Sequence, residues 1–140
     1  MLSALLDSSI YIAAFRRQDD FLVSGRFGVD TTLWLSAVVL EELYAGVRER
    51  DRDIVEGLER DFYKAGRILV PDLSDWIHTG KVLARLAIKY DYEKIGRARL
   101  TNDALIAMSA ARLGVKVITA NERDFRRLAE FHPFQWQVTL

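Results

Sequence analysis

Four acidic residues sit where apolar runs give way to helix-like patterns. Asp7 follows Leu2-Ser3-Ala4-Leu5-Leu6 and precedes Ser8-Ser9. Glu42 lies in Ala37–Arg48, behind Ser36, Asp103 follows Thr101-Asn102, and Asp124 comes shortly after Thr119. If the four converge, two charges ~4 Å apart repel by roughly 4 kcal/mol at an effective dielectric of 20. Several such pairs cannot all stay ionised without a cation or raised pKa values. Hard carboxylate oxygens suit Mg²⁺ or Mn²⁺. Such ions activate water and stabilise the oxygens of an in-line displacement at phosphorus. The chain has no cysteine, and His78 and His132 show no ligand spacing, so both histidines read as structural. The acids alone remain to do the chemistry.

Taken singly, each acid also has a plain structural reading. Asp7 or Ser8 can cap the following helix, and Glu42 can be a surface acid beside Glu41. Asp103 can complement a helix dipole, and Asp124 can complete a capping arrangement with Asn121. The surroundings favour more than that. Val38, Val39, Leu43 and Val47 flank Glu42, with Gly46 one turn beyond it, and Ala107 with Ala110 or Ala111 extends a small-residue face from Asp103. An acid on a packed face needs a partner, yet no lysine or arginine is expected one turn from Asp103 or Glu42 on that side.

The elements that must position these acids follow from patterning. The 140 residues are 50% hydrophobic and 29% charged, the ratio of an ordinary globular domain, and we expect a single domain over 1–140. No apolar run approaches the roughly 20 residues needed to span a bilayer, and the N-terminal stretch does not read as a secretory signal. A cytoplasmic protein without membrane association is the expectation. Net charge is zero but unevenly spread: residues 1–80 hold 9 basic and 14 acidic side chains, residues 81–127 hold 11 and 5. That split can set a positive rim beside an acidic site.

A buried first strand ends at Asp7, and a short helix follows over Ile10–Arg17. Asp19 or Asp20 can cap another helix toward Phe27. Thr31–Ser36 reads as a second strand, with Ser36 capping Ala37–Arg48. The sign-alternating block 48–53 reads as a solvated connection. Ile54, Leu58, Phe62 and Ala65 repeat at helical spacing, and Gly66 ends that helix. On the same helix Val55 is a candidate for either an exposed partner groove or the core. Ile68–Val70 forms a third strand. Trp76, Gly80, Leu83, Ala87 and Tyr90 predict the core face of a long helix. Residues 91–100 read as a loop, Thr101 or Asn102 as the cap of a helix to Leu113, and Gly114 as its stop. Val115–Thr119 is the clearest strand, Asn121 opens a helix through Leu128, and Pro133–Val138 alternates like an edge strand. Strands alternating with helices imply a mainly parallel sheet covered on both faces.

The segments Leu5-Leu6-Asp7-Ser8-Ser9, Ser36 through Glu42-Leu43-Tyr44-Ala45-Gly46, Asn102 through Ala107 and Thr119 through Phe125 together resemble the PIN-domain ribonucleases, the VapC-type toxins of toxin–antitoxin pairs above all. The resemblance runs from Leu2 to Phe125 with all four motifs in order. It implies an α/β fold, a three-layer α/β/α sandwich with about five mainly parallel strands, and a metal-dependent endoribonuclease site. It assigns Asp7, Glu42, Asp103 and Asp124 to the catalytic cluster and Ser8, Thr119 and Asn121 to its support. Mg²⁺ or Mn²⁺ is the implied cofactor, with Asp7 and Asp103 as metal ligands and Glu42 and Asp124 as further candidates. Glu42 rather than Glu41 is chosen because the family's acid directly precedes the leucine of Glu-Leu-x-x-Gly, and Glu41 points about 100° away on a helix. A homodimer and a cognate antitoxin are implied partners, with RNA the substrate. Lys94, Arg97, Arg99 and Arg123 are candidates to meet its phosphates, and Tyr92 to stack on a base. Two alternatives use the same acids: a DNA-directed 5′ nuclease-like enzyme and a non-catalytic acidic-pocket interaction module. A receiver-type signalling domain fits less well, because the late strand ends in Thr119-Ala120-Asn121 and not in a lysine.

Overall fold

Strand β1 (Leu2–Leu6) sits at the centre of the sheet because Ala4, Leu5 and Leu6 lose all contact with solvent on both faces. Burial of each leucine contributes roughly 1.5–3 kcal/mol. The computed structural model describes residues 2–17, 30–91 and 97–139, apart from the side chains of residues 97 and 98. The expected helix capped by Asp19 or Asp20 lies outside the described residues.

In chain order the elements are β1, α1 (Ser8–Arg17), β2 (Thr31–Ser36), α2 (Ala37–Gly46), α3 (Arg52–Lys64), β3 (Ile68–Leu69), α4 (Leu73–Tyr90), α5 (Arg97–Leu113), β4 (Lys116–Thr119), α6 (Glu122–Ala129) and β5 (Trp136–Val138). The strands form a five-stranded sheet in the order β3-β2-β1-β4-β5, with every pairing parallel. Helical crossovers between parallel strands cover its faces, as the alternation predicts. In register, Leu5 lies opposite Trp34 and Val117, and Leu6 opposite Ile118. The carboxyl ends of β1, β2 and β4 therefore reach one edge together, and Asp7, Ser36 and Thr119 are delivered to it. Gly66 and Gly114 close α3 and α5 at φ of 68° and 67°, a left-handed conformation that favours glycine.

Four expectations need correction. The 48–53 block is not simply a solvated connection: Glu49–Asp51 forms a 3₁₀ turn, and Asp51 is buried against Arg48. On α3 the core face is Val55, Leu58 and Phe62, while Ile54 is half exposed, so Val55 belongs to the core. The α4 face was expected one residue out of phase. Asp75, Thr79, Val82 and Leu86 are buried, whereas Trp76, Gly80 and Ala87 face solvent and Leu83 and Tyr90 are only partly covered. Two polar residues on the buried stripe misdirect any hydrophobic pattern. Finally, α5 starts at Arg97, inside the stretch expected to be loop, so Asn102 stands within the helix and caps nothing.

Asp75 can be buried because its charge is fully engaged. Its carboxylate accepts from the Asp72 backbone N–H at 2.9 Å, completing a capping box at the start of α4. It also takes both oxygens' worth of bonding from Arg112 on α5, at 3.0 to 3.2 Å. Asp75→Ala should therefore destabilise the chain by about 2–3 kcal/mol, through the lost cap and an arginine left with only Asp72 and the Val70 carbonyl. Urea unfolding at fixed m-value measures it. A loss under about 0.5 kcal/mol would mean that water replaces the carboxylate without cost.

Candidate active site

Asp7 is the most tightly held acid of the group. Its backbone N–H donates to the Ile118 carbonyl at 3.0 Å, fixing the end of β1 beside β4. Its Oδ2 accepts from Thr119 Oγ1 at 2.5 Å, and its Oδ1 accepts from the Ser9 backbone N–H at 3.1 Å and from the Ser9 hydroxyl. Ser9 Oγ in turn accepts from the Ala120 N–H at 3.2 Å, and Thr119 Oγ1 from the Asn121 N–H at 2.9 Å. A hydroxyl at the end of β4 and one in the first turn of α1 thus lock the carboxylate into one orientation. Ser9 was present in the sequence motif but carried no assigned role. Its position two residues after an aspartate, where side chains commonly fold back on the backbone, was the available signal.

Asn121 ties the other side of the site together. Its Oδ1 accepts from the Asp124 backbone N–H at 3.4 Å, so it does cap α6. Its Nδ2 donates to Asp124 Oδ2 at 3.0 Å and reaches Asp103 Oδ2 at 3.5 Å. The capping reading and the site reading of Asp124 hold at once. Asp124 is also paired with the exposed Arg123 at 3.2 Å.

Glu42 projects from α2 while Glu41, next to it, faces solvent. One of its oxygens, Oε1, is buried with no hydrogen-bond partner among the described residues. Burial pushes its pKa up, Ser8 and Asn102 within bonding reach pull it down, and the charges of Asp7 and Glu41 add to the rise. Asn102 reaches Glu42 because α5 begins early and turns that residue inward.

Asp103 is the electrostatic centre. It is only 7% exposed. Burial, and then the charges of Asp7, Glu42 and Asp124, push its pKa up to about 8, with Arg99 opposing. Asp7 is raised too, by burial that outweighs its hydrogen bonds from Ser9 and Thr119. Asp103 therefore feels the other three acids, and Glu42 also feels Asp7. Arg99 corrects another expectation: with α5 starting at Arg97, it lies one turn before Asp103 and supplies the cation thought absent there. Lys94 and Tyr92 fall outside the described residues, as does the side chain of Arg97.

Among the described residues, no three histidine, aspartate or glutamate side chains are gathered tightly enough to enclose a metal ion by themselves. An all-oxygen donor set with an unsatisfied Glu42 oxygen still fits Mg²⁺, which typically uses one or two carboxylates and keeps several waters. No described helix is long and apolar enough to cross a membrane.

A family model described as PIN domain matches residues 4–131. The chain belongs to the PIN-domain family. A tRNA(fMet)-specific endonuclease VapC of Salmonella typhimurium is 30% identical over 142 residues, covering 97% of this chain and 99% of that protein. The crystal structure of DNA-bound VapBC from Salmonella typhimurium matches at a TM-score of 0.71 and 25% identity, covering 99% of this chain and 98% of the other. VapBC from nontypeable Haemophilus influenzae shares the fold at a TM-score of 0.66 and 24% identity, covering 98% of each chain. Within the PIN-domain family the chain is a nuclease of the VapC type. Its five parallel strands and flanking helices are the PIN-like α/β arrangement of those relatives.

Proposed function

We propose that this PIN domain hydrolyses RNA phosphodiester bonds as the toxin of a toxin–antitoxin pair, with Asp7, Glu42, Asp103 and Asp124 as its catalytic residues. The observation that carries it is the electrostatic one. A carboxyl pushed up to about pKa 8 by burial and then by three acidic neighbours, beside a buried carboxylate oxygen without a partner among the described residues, is an arrangement that a divalent cation would relieve.

Asp7 and Asp103 would hold Mg²⁺ or Mn²⁺, with Glu42 and Asp124 completing the acidic wall. When bound, the ion supplies Lewis-acid chemistry: it lowers the pKa of water and offsets charge developing on phosphate oxygens. The chain's own residues do the rest. Thr119 and Ser9 hold Asp7 in one rotamer, so its charge is preorganised and does not need to turn at the moment of reaction. Asn121 holds Asp124 against Asp103, and Ser8 with Asn102 holds Glu42. Arg99, exposed one turn before Asp103, and Arg123, paired with Asp124, would meet the substrate phosphates. Lys94 and Arg97 belong to the same proposed rim.

Because full-length relatives are tRNA(fMet)-specific endonucleases, a tRNA is the substrate class we assign, and the VapBC complexes make a cognate antitoxin the assigned partner. Homodimerisation and a cytoplasmic setting complete the proposal. The test is incubation of the purified chain with total tRNA in Mg²⁺, in Mn²⁺ and in chelator. Discrete cleavage products that require the metal are expected. Intact tRNA under every metal condition, from a folded protein, would overturn the proposal.

A further inference from the structure

The acid cluster cannot by itself attract a polyanion, and the chain as a whole has no net charge to do so. Affinity for nucleic acid comes largely from cations that neutralise phosphates. Several described surface arginines are already committed: Arg48, Arg52, Arg60, Arg112, Arg123 and Arg126 each pair with an acid. Lys81 and Arg85 are different. They lie four residues apart on the exposed side of α4, where like charges oppose each other on a helix. No acidic partner relieves them among the described residues. The nearby acids are engaged elsewhere, Asp75 with Arg112 and Glu130 with Lys89 and Tyr90.

The same two cations line a groove of about 480 Å³ between α4 and the segment after α6, with Val82, Phe131, His78 and His132 among its other walls. The two histidine rings meet edge to face at 5.2 Å. Beyond them a second cavity of about 270 Å³ continues past Ser74 to Met108 and Ala111 on α5. Met108 and Ala111 stand five and eight residues along α5 from Asp103, about 8 and 12 Å at 1.5 Å per residue. That cavity is thus outside the acid cluster, and the groove of Lys81 and Arg85 adjoins it through His78 and His132, which line both.

We propose that this groove is an accessory site for the phosphate backbone of the RNA substrate, with Lys81 and Arg85 as its phosphate contacts. The inference rests on the ribonuclease function proposed above. Val82, Ala84 and Phe131 floor the groove, but two cations without an acidic partner among the described residues, beside two histidines, suit a polyanionic backbone. Because the contacts are to phosphate, they orient the RNA without reading its sequence.

The test uses Lys81→Gln with Arg85→Gln, both at exposed positions where substitution leaves packing unchanged. Arg60→Gln with Lys64→Gln on α3 removes equal charge elsewhere. Binding of total tRNA is measured against salt with each pair placed in an Asp103→Asn chain, so that binding is read without turnover. Cleavage of tRNA and of a short oligonucleotide carrying the cut junction is measured in otherwise wild-type chains. The α4 pair should weaken tRNA binding about tenfold and reduce the salt slope by about 1.5. The α3 pair should stay within about twofold, and cutting of the short oligonucleotide should be unchanged. Equal effects of the two pairs would overturn the proposal, and so would no effect on tRNA, which would leave the groove to an acidic protein segment. Wild-type protein that binds tRNA through Lys81 and Arg85 but cuts no RNA would refute the nuclease function and leave the groove as an RNA site.

Discussion

Asp103→Asn is expected to lower kcat/KM for RNA cleavage on the order of a thousandfold, about 4 kcal/mol of transition-state stabilisation. In the same protein, stripped of metal, it should raise the melting temperature. The two effects share one cause. Asp103 is buried among three like charges, and its pKa is pushed up to about 8. Near neutral pH the metal-free folded chain must keep a proton on this carboxyl that the unfolded chain would release. Asparagine has the same shape and needs no proton, so folding no longer carries that cost.

Activity goes the other way because asparagine offers one neutral oxygen where the proposed site needs a charged ligand. Asn121 can still donate toward the new side chain's oxygen, so the local hydrogen bonding survives. Thermal unfolding in chelator, set beside single-turnover cleavage in Mg²⁺, measures both. A variant that is inactive and also less stable would point to a structural role for Asp103. A variant of undiminished activity would remove Asp103 from the site.

The parallel sheet and its acid-bearing edge were legible because their signals are local. Apolar runs that stop at Asp7 and Thr119 define β1 and β4, and the Ser36 cap with Val38 N–H at 3.2 Å starts α2 where expected. The choice of Glu42 over Glu41 came from the family's acid directly before the leucine, and Glu41, about 100° away on the helix, is the more exposed of the two. What was not legible depends on partners distant in sequence. Asp75 and Thr79 look like surface residues until Arg112 and the packed face of α5 are in place, so the α4 stripe was displaced by one residue.

The first turn of α5 was hidden differently. Arg97-Ala98-Arg99-Leu100 contains good helix formers, but Gly96 and the density of charge suggested a loop. Missing that turn had consequences at the site. It made Asn102 a cap when it faces Glu42, and it removed Arg99 from the face of Asp103. The edge-to-face contact of His78 and His132, 54 residues apart in sequence, likewise required the fold.

Stability of the metal-free chain should fall as pH rises from about 6.5 to 8, by up to about 1.4 kcal/mol per pH unit, and Mg²⁺ should remove most of that fall. Asp7, Glu42 and Asp103 all have pKa values raised on folding, first of all by burial. Between the usual carboxylate range and about 8, the folded chain therefore binds more protons than the unfolded one, and each unit of pH costs stability. His132 acts oppositely below its ordinary pKa of 6.5, because burial and His78 lower its pKa and acid then favours unfolding. Asp72 and Glu130, whose pKa values are lowered by hydrogen bonds, lose their contribution only as pH drops through the carboxylate range. The window above 6.5 is consequently governed by the acid cluster. A divalent ion that binds only the ionised cluster displaces its protons, so its stabilisation should be larger at pH 8 than at pH 6.5. At a hundred times its dissociation constant the ion contributes about 2.7 kcal/mol. Chemical denaturation at the two pH values, with and without Mg²⁺, supplies the four numbers. Equal stabilisation at both would mean that the ion does not bind at the protonated carboxyls, and a flat metal-free profile would mean that Asp103 is already ionised beside Arg99.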